Sequence, residues 1–433
     1  MEICIIGAGH VGLVTAACFA DLGHKVICVD NDAEKVATLR KGRATFYEPG
    51  LEPMVARTLV KKRLSFTTEI AEGVRQSKVI FIAVGTPPLS SGEADLTAVE
   101  EVARQIALTM TSYRLVVEKS TVPVETGRWV HHTLKSFVRK NVPFDVASNP
   151  EFLREGSAVH DFLHPDRVVI GVESAAARKI LTDLYKPFKA PLMITDIASA
   201  ELIKHASNAF LATKISFINA VAAICERVGA DIEQVADGVG SDRRIGPAFL
   251  DPGVGFGGFC LPKDIEAFIR IAEKIGYDFD LLKAVKQINE EQRRLLVKKV
   301  EKHLWNLKGK RIGILGLAFK PETDDLRFAP SLEVIAALSK GGAKVTAYDP
   351  CAMEGARALL KGVGFAKDPY QLARGADCLV VLTEWKAFQK LNFSKIKKLM
   401  RQPVIVDGRN IYDPVEMKRL GFDYACIGRA GAI

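Results

Sequence analysis

The first thirty residues constrain the fold more strongly than any other part of the chain. An apolar run over residues 2–6 leads into three glycines, Gly7, Gly9 and Gly12, and a helical stretch follows over residues 13–21. A second apolar run over residues 25–30 ends at Asp30. This order of strand, glycine turn, helix and strand is typical of a βαβ unit that binds a dinucleotide.

Each of these residues has its own role in such a unit. Gly7 makes the tight turn, Gly9 lets a pyrophosphate approach the backbone, and Gly12 allows the helix to pack closely against the strand. Asp30 lies close to the position, about 20 residues after the glycines, where a carboxylate binds the ribose 2′-OH. Because an anion there repels a 2′-phosphate, the pattern favours NAD over NADP. A glycine turn in a purely structural unit is the alternative interpretation.

Short apolar runs continue to alternate with amphipathic segments through the first half of the chain. They lie at residues 78–84, 115–118, 144–147 and 167–171. The alternation predicts a parallel sheet covered by helices. Similar runs return in the last third, at residues 311–315, 344–348, 378–382 and 403–407. That region retains Gly313 and Gly316 of the glycine pattern, and no dinucleotide is assigned to it.

The middle of the chain has a different pattern. Residues 196–229 form one apolar helical stretch without Gly or Pro until its end, and more helix is expected up to about residue 298. The sequence therefore predicts an α/β protein with two Rossmann-like, doubly wound domains joined by a long central helix. The predicted domains are residues 1–195, 196–300 and 301–433. Because such a helix must bury its apolar surface, a homodimer through it is expected.

Composition excludes several classes of partner. The net charge is +9, but lysines and arginines are interleaved with acidic residues rather than clustered with aromatics, so nucleic acid is not expected. No apolar run approaches the ~20 residues of a membrane span, and no basic segment precedes the first strand. The eight cysteines are dispersed without metal-ligand spacing. We therefore expect a cytoplasmic protein with reduced thiols, no metal site and a small phosphorylated ligand.

A reactive thiol is predicted in the glycine-rich segment at residues 255–264. This segment contains Cys260, followed by Lys263 and Asp264. Glycines permit a turn that a ligand can approach closely, and a nearby cation favours the nucleophilic thiolate. We therefore expect Cys260 to lie in a glycine turn and to act as a covalent nucleophile. A cysteine that only packs in the core is the alternative.

Polar residues from other segments are candidates for the same cleft. Lys204 and Asn208 lie four residues apart on the apolar central helix, so they share one face and require polar partners if buried. A solvent-exposed edge would also explain them. Further candidates follow strands of the first sheet, where ligands bind: Thr86, Thr121, Glu151 and Glu155. Turn formation and surface charge are the respective alternatives.

Together these segments resemble the UDP-glucose/GDP-mannose dehydrogenase family over nearly the whole chain. The resemblance is closest to members that oxidise UDP-glucose. It includes the N-terminal glycines, Lys204 with Asn208, and the segments 47–51, 85–87, 120–122, 149–153, 255–264, 319–327 and 407–409. One residue departs from the family pattern: Phe259 precedes the cysteine where many members have serine.

The resemblance implies a reaction. It is the four-electron oxidation of UDP-glucose to UDP-glucuronate with NAD, through a thiohemiacetal and a thioester on Cys260. Lys204 and Asn208 would stabilise the negative oxygen, while Asp264, Glu151 and Thr121 would position and deprotonate the hydrolytic water. Oxidation of GDP-mannose, UDP-N-acetylmannosamine or UDP-N-acetylglucosamine is the alternative within the family. An inactive regulatory protein that binds nucleotide sugars is the alternative outside it.

The resemblance also implies binding residues. Besides the three glycines and Asp30, the cofactor positions are Val11, Lys35, Thr86, Thr121, Glu155, Lys263 and Arg327. The substrate positions are Glu151, Phe152, Leu153, Arg154, Glu155, Lys204, Asn208, Phe249, Leu250, Asp251, Pro252, Gly253, Gly257, Lys320 and Arg409. Arg244 resembles a residue that reaches into the site of the partner subunit.

Overall fold

A computed structural model describes residues 1–429, and the chain divides into two compact units. The first unit comprises Met1–Ser207 and Glu266–Tyr277, and the second comprises Asn208–Ile265 and the chain from Asp278 onward. Two of the three divisions fall inside helices, namely α9 (Ile197–Val228) and α11 (Cys260–Lys274), and the third lies between Tyr277 and Asp278. Each unit contains its own sheet.

The first unit is built on an eight-stranded sheet. Its strands are β1 (Glu2–Ile6), β2 (Lys25–Val29), β3 (Leu64–Thr67), β4 (Val79–Ile82), β5 (Arg114–Glu118), β6 (Phe144–Ser148), β7 (Val168–Val172) and β8 (Leu192–Thr195). They lie side by side in the order β3-β2-β1-β4-β5-β6-β7-β8. The three strands β2, β1 and β4 pair in parallel, as the βαβ pattern predicts.

Both faces of this sheet are covered by helices. Ile3 and Ile5 of β1 pack into one core, whereas Cys4 and Ile6 pack into the other. Because side chains alternate along a strand, a strand buried on both faces must be apolar throughout. The covering helices are α1 (His10–Asp21), α2 (Ala33–Arg40), α3 (Leu51–Val60), α4 (Ile70–Gln76), α5 (Thr97–Thr109), α6 (Thr126–Phe137), α7 (Ala158–Leu163) and α8 (Ala175–Tyr185).

The first sheet is not parallel throughout as predicted, because β7 and β8 run opposite to the other six strands. β7 runs antiparallel to β6, with Ser148 opposite Gly171. The connection over residues 149–167 contains the short helix α7 and does not cross to the other end of the sheet. It therefore begins and ends at the carboxyl edge of β6. This reversal keeps the segment with Glu151 and Glu155 at the edge where ligands bind in α/β sheets.

The second unit contains a six-stranded parallel sheet. Its strands are β9 (Arg311–Leu315), β10 (Lys344–Tyr348), β11 (Gly364–Phe365), β12 (Cys378–Val381), β13 (Val404–Asp407) and β14 (Asp423–Cys426), in the order β11-β10-β9-β12-β13-β14. The unit also contains α10 (Ile232–Gly240), α12 (Asp280–Leu304), α13 (Pro330–Lys340), α14 (Met353–Leu359), α15 (Pro369–Ala373), α16 (Lys386–Gln389), α17 (Phe393–Leu399) and α18 (Pro414–Arg419). The predicted architecture of two Rossmann-like sheets and a long central helix is confirmed.

The central helix α9 begins and ends within one residue of the predicted stretch. Among residues 1–429 it is the one helix whose length and apolar composition would suffice to cross a membrane. However, 44% of its most apolar 18-residue window is buried inside the protein. Ile218, Ala222 and Cys225 pack into the core of the second unit. These contacts are those of a core helix.

Candidate active site

The glycine turn after β1 leaves room for a pyrophosphate. Gly7 has φ 105°, and a Cβ there would lie 2.4 Å from the carbonyl oxygen of Ala83. A Cβ on Gly12 would lie 1.8 Å from the oxygen of Gly7. In contrast, a Cβ on Gly9 would have no atom within 4 Å. Packing therefore requires glycine at Gly7 and Gly12, while Gly9 faces the open space at the N-terminus of α1.

Asp30 fixes a negative charge at the end of β2. The side chain is 8% exposed, and its Oδ2 accepts a hydrogen bond of 2.8 Å from the Ala8 N–H. The Lys35 ammonium lies 3.1 Å from the same oxygen. Val11, half-buried, follows on α1. The Asp30 carboxylate therefore lies at the end of the turn, where it fits a dinucleotide with a free ribose 2′-OH.

The loop after β5 carries Thr121 and is held by several hydrogen bonds. The Thr86 hydroxyl donates to the Thr121 carbonyl oxygen at 2.9 Å, and the Ser120 hydroxyl donates to the Val84 carbonyl at 2.9 Å. His205 Nε2 lies 2.8 Å from the Val122 oxygen. Thr86 is only 3% exposed. Its hydroxyl therefore positions the loop, whereas Thr121 remains half-buried at the surface of the site.

Two buried carboxyl groups lie beneath this loop, and the sequence did not single them out. Glu118 Oε1 accepts the Ser120 N–H at 2.8 Å, while Oε2 has no hydrogen-bond partner within residues 1–429. Glu201 of α9 accepts the N–H groups of Glu125 and Gly127. Burial raises the pKa of Glu118 to about 8 and the pKa of Glu201 to about 7. Burial also lowers the pKa of Lys119 to about 8.

Glu118 should make the stability of the protein depend on pH. Its pKa in the folded state is above the ordinary glutamate value, so the folded protein holds a proton that the unfolded chain has lost. Stability should then fall as the pH rises from about 4 to about 8 and change no further through this group. We expect Glu118→Gln to match wild type at pH 4 and to be more stable at pH 9, on the order of a few kcal/mol.

The measurement is the thermal midpoint of both proteins at the two pH values. Glutamine keeps an oxygen that can accept the Ser120 N–H, so the comparison isolates ionisation. Glu100→Gln on the exposed face of α5 is the matched control and should follow wild type at both pH values. Parallel curves for wild type and Glu118→Gln would show that Glu118 is not protonated in the folded protein.

Glu151 and Lys204 form a buried ion pair in the first unit. The Lys204 ammonium lies 2.9 Å from Glu151 Oε1, and the two side chains are 5% and 3% exposed. The Phe152 ring lies under two cations, with its centroid 5.4 Å from Lys204 Nζ and 4.1 Å from the Arg167 guanidinium carbon. Such a pair requires this surrounding polarity, because an isolated buried charge is costly. Lys204 is thus not the exposed polar edge that was the alternative.

The segment that carries Glu151 is fixed by acids elsewhere in the unit. Glu48 accepts the N–H groups of Gly156 at 2.7 Å and Ala158 at 2.8 Å. Asp161 holds the Arg154 guanidinium through both oxygens. Leu153 donates its N–H to Glu151, and Glu155 is half-buried next to it. A cavity of about 150 Å³ opens beside this segment, and its lining includes Lys119, Asn149 and Tyr185.

In the second unit, Cys260 begins a helix. The sequence predicted a thiol within a glycine turn, but the turn ends at Phe259 and α11 starts at Cys260 itself. Positive charge at a helix N-terminus favours a thiolate. Lys263 and Asp264 follow three and four residues later, so both project from the same helix face as the thiol. The helix start is therefore a second reason, besides the turn, to expect Cys260 to act as a nucleophile.

Asp264 connects the cysteine helix to the central helix. Its Oδ1 lies 2.8 Å from the Lys263 ammonium, and its Oδ2 accepts a hydrogen bond of 2.6 Å from the Asn208 amide. The three side chains are 1% to 7% exposed. The structure therefore brings together Cys260, Lys263, Asp264 and Asn208 within one unit. A thiol, an ammonium, a carboxylate and an amide donor are the groups that covalent acyl chemistry needs.

The loop before Cys260 is held by asparagines that the sequence reasoning missed. Asn289 of α12 accepts the Phe256 N–H at 2.8 Å and donates to the Phe256 carbonyl at 3.0 Å. Asn219 of α9 accepts the Gly253 N–H at 2.8 Å. A Cβ on Gly257 would lie 2.4 Å from the Phe328 oxygen. For Asn219 the available signal was a polar residue within the apolar helix α9, which requires a partner if buried.

The remaining substrate positions of this unit also gather around the loop. A Cβ on Gly253 would lie 3.5 Å from the Arg409 side chain, whose Nη2 donates to the Phe319 carbonyl at 3.2 Å. Lys320 Nζ lies 5.5 Å from the Phe319 ring centroid. Leu250 and Pro252 are buried, Phe249 is half-buried with φ 66°, and Asp251 is exposed. Two cations therefore stand beside the loop, as pyrophosphate recognition requires.

The other cysteines do not compete with Cys260 as nucleophiles. All eight are free, and six are buried. Cys351 is the other partly exposed thiol, but burial and the neighbouring Asp349 raise its pKa to about 11. A thiol in that state carries almost no thiolate at neutral pH.

Comparison with known proteins agrees with this geometry. Three models of the UDP-glucose/GDP-mannose dehydrogenase family match: the NAD binding domain over residues 1–189, the central domain over residues 198–291 and the UDP binding domain over residues 313–414. A UDP-glucose 6-dehydrogenase of Bacillus subtilis is 48% identical over 99% of this chain and 93% of its own length.

Solved structures agree as well. A UDP-glucose dehydrogenase of Pyrobaculum islandicum is 42% identical with a TM-score of 0.93, covering 99% of this chain and 98% of its own. A UDP-D-ManNAc dehydrogenase of Pyrococcus horikoshii is 30% identical with a TM-score of 0.88, covering 100% of both chains. The cofactor is NAD, and residues 1–189 bind it. The chain belongs to the UDP-glucose/GDP-mannose dehydrogenase family.

Proposed function

We propose that this protein oxidises UDP-glucose to UDP-glucuronate. The observation that carries the proposal is Cys260 at the start of α11, with Lys263 and Asp264 on the same helix face and Asn208 bonded to Asp264. Sequence identity of 42–48% over the full length to UDP-glucose dehydrogenases supports the choice of substrate. The more distant UDP-D-ManNAc dehydrogenase, at 30% identity, is the sister specificity that the experiment must exclude.

The covalent steps belong to Cys260. NAD, when bound, supplies the hydride acceptor for both oxidations of the sugar carbon. After the alcohol has become an aldehyde, the Cys260 thiolate attacks the carbonyl carbon, and the new C–S bond holds the intermediate as a thiohemiacetal. Its oxidation gives a thioester. Water then adds to that carbon, the C–S bond breaks, and the acid leaves while Cys260 regains its proton.

Other side chains are assigned to stabilise and direct these steps. Lys204 and Asn208 donate to the oxygen that becomes negative in the tetrahedral states, and one such donor is typically worth about 3–4 kcal/mol. Asp264, Glu151 and Thr121 position the hydrolytic water and accept its proton. The pairing of Glu151 with Lys204 and of Asp264 with Lys263 supports these roles, because each places a cation within 2.9 Å of a buried carboxylate.

The two ligands are assigned to two sets of residues, which share Glu155. For NAD they are the turn with Gly7, Gly9 and Gly12, together with Val11, Asp30, Lys35, Thr86, Thr121, Glu155, Lys263 and Arg327. For the substrate we assign Lys320 and Arg409 to the pyrophosphate, and residues 151–155, 249–253 and Gly257 to the remainder. Both cations lie in the segment that matches the UDP binding domain, which supports the assignment.

A substrate screen tests the proposal. The purified protein is incubated with NAD and with UDP-glucose, GDP-mannose, UDP-N-acetylglucosamine or UDP-N-acetylmannosamine in turn, and NADH and acid are measured. We expect UDP-glucose to give the highest kcat/KM and two NADH for each acid formed. A preference for another sugar nucleotide, or one NADH for each product, would contradict the proposal.

We also propose that the protein is a cytoplasmic homodimer organised as domains 1–195, 196–300 and 301–433. The matched regions 1–189, 198–291 and 313–414 support the domain division, although α12 continues past residue 300 to Leu304. Residues 430–433 lie outside the described chain. Eight free thiols support a reducing compartment.

An exposed apolar stripe on α9 supports the dimer. Phe210, Phe217 and Ile224 recur every seven residues and are 67%, 54% and 57% exposed. Large exposed apolar surfaces mark interaction sites. A second copy of the same helix, packed about a two-fold axis, covers both stripes at once. Lys214 of α9 donates to the Ile245 and Gly246 carbonyls and so holds the loop that carries the exposed Arg244.

We expect Phe217→Glu to convert the dimer into monomers, because it places a charge within the stripe. Light scattering after size exclusion should give twice the chain mass for wild type and the chain mass for the variant. Val60→Glu, at an apolar position that is 84% exposed on α3, is the matched control and should stay dimeric. A dimeric Phe217→Glu variant would place the interface elsewhere.

A further inference from the structure

Phe259, the residue directly before Cys260, has specific contacts in the structure. The centroid of the Phe259 ring lies 4.4 Å from the Arg327 guanidinium carbon and 5.6 Å from the Lys263 ammonium. Both distances are within the range of a cation–π interaction. A serine at this position has no ring and could not make either contact.

Each of the two cations is also held by its own carboxylate. Asp325 binds Arg327 through both oxygens, with its Oδ1 2.9 Å from Nε and its Oδ2 2.7 Å from Nη2. Asp264 binds Lys263 at 2.8 Å. The carboxylates fix one side of each cation, and the aromatic ring attracts both. Because two cations near one another repel, the ring lowers the free energy of keeping them together.

The position of the ring is set by the backbone on either side. A Cβ on the preceding Gly258 would lie 2.7 Å from the Phe319 ring, so this part of the loop packs tightly. On the other side, α11 begins at Cys260. The backbone on either side of Phe259 is therefore fixed, and its ring lies 4.4 Å from the Arg327 guanidinium carbon.

We propose that Phe259 is a positioning residue that holds Arg327 and Lys263 for the anionic NAD. This rests on the proposed function, which assigns both cations to the cofactor. Phe259 itself need not touch the cofactor, because it acts through the two cations. Its removal should therefore weaken NAD binding more than it changes kcat at saturating NAD.

The test is the dissociation constant of NAD, measured by calorimetry on the full chain. Phe259→Leu keeps an apolar side chain but removes the ring, and we expect NAD to bind about three- to thirtyfold more weakly. Phe259→Tyr keeps the ring and should stay within about twofold of wild type. Phe259→Ser also removes the ring; it should behave like the leucine variant and replaces it if that variant does not fold.

A double-mutant cycle separates positioning from general damage. If Phe259 acts through Arg327, adding Phe259→Leu to Arg327→Met should weaken NAD binding less than it does in wild type. The matched control is Phe365→Leu, which removes a ring 4.7 Å from the Arg357 guanidinium in the same unit and should leave NAD affinity unchanged.

Two outcomes would overturn the proposal: unchanged NAD affinity in Phe259→Leu and Phe259→Ser, or fully additive effects in the cycle. Failure of the proposed function has a different signature. In that case wild type would bind NAD but would not oxidise UDP-glucose, whereas the effect of Phe259 on NAD binding would persist.

Discussion

Cys260→Ala is expected to abolish formation of UDP-glucuronate while NAD binding persists. The first oxidation to the aldehyde does not need the thiol, but the second requires a tetrahedral adduct that carries a C–H bond. Without the sulfur, the aldehyde is not held covalently and leaves the site before a second oxidation. Acid formation should fall by at least about a thousandfold, since a nucleophile rather than a contact is lost. At most one NADH should appear for each substrate consumed.

Cys260→Ser tests formation of the covalent intermediate separately from its hydrolysis. The serine oxygen occupies the same place at the start of α11, and its ester hydrolyses more slowly than a thioester. We expect a covalent sugar-nucleotide adduct in the intact-mass spectrum of this variant. Cys351→Ala, at the other partly exposed thiol, is the matched control and should form acid like wild type. Acid formation at the wild-type rate by Cys260→Ala would remove Cys260 from the reaction.

The strands that the sequence predicted differ physically from those it missed. The interior strands are apolar on both faces, as in β1 and β4, because helices cover the sheet on each side. The missed strands are β3, β8, β11 and β14, and each lies at the edge of a sheet. Edge strands have one neighbour, and these have two to four residues. Their pattern is therefore too short and too weakly apolar to separate from a loop.

The sequence predicted which residues are candidates for the site, but it could not predict their partners. Helical spacing correctly placed Lys204 and Asn208 on one face of α9, one turn apart. The structure then gives each a different carboxylate: Glu151 for Lys204 and Asp264 for Asn208. These pairs form only when the chain folds, because Glu151 follows β6 and Asp264 lies on α11. Spacing alone carries no information about such contacts.

The residues that support the site could not be predicted from the sequence, for the same reason. Asn289 lies 33 residues beyond Phe256 in sequence, yet it bonds both backbone groups of that residue. Glu118 ends an apolar strand, where a glutamate is usually solvated. Their roles depend on burial, and burial follows from the packing of the whole unit. A motif search therefore finds the reacting groups before the residues that hold them.

The second prediction with a large expected effect concerns the buried pair of Lys204 and Glu151. We expect Lys204→Met to lower kcat by about a hundred- to a thousandfold, because a donor to the developing oxyanion is lost. The same change leaves the Glu151 carboxylate buried without its cation, and both side chains are at most 5% exposed. Removing one partner of a buried pair typically destabilises a protein by about 3–5 kcal/mol. The thermal midpoint should therefore fall together with the activity.

A second substitution separates these two effects. In Lys204→Met/Glu151→Gln the uncompensated charge is gone, so most of the lost stability should return. The activity should not return, because neither the donor nor the carboxylate is present. Lys299→Met, which breaks the more exposed pair with Glu226, is the matched control and should change stability by about 1 kcal/mol or less. If the double variant regained both stability and turnover, Lys204 would have only a structural role, and the negative oxygen would have to be stabilised by Asn208 or by backbone N–H groups.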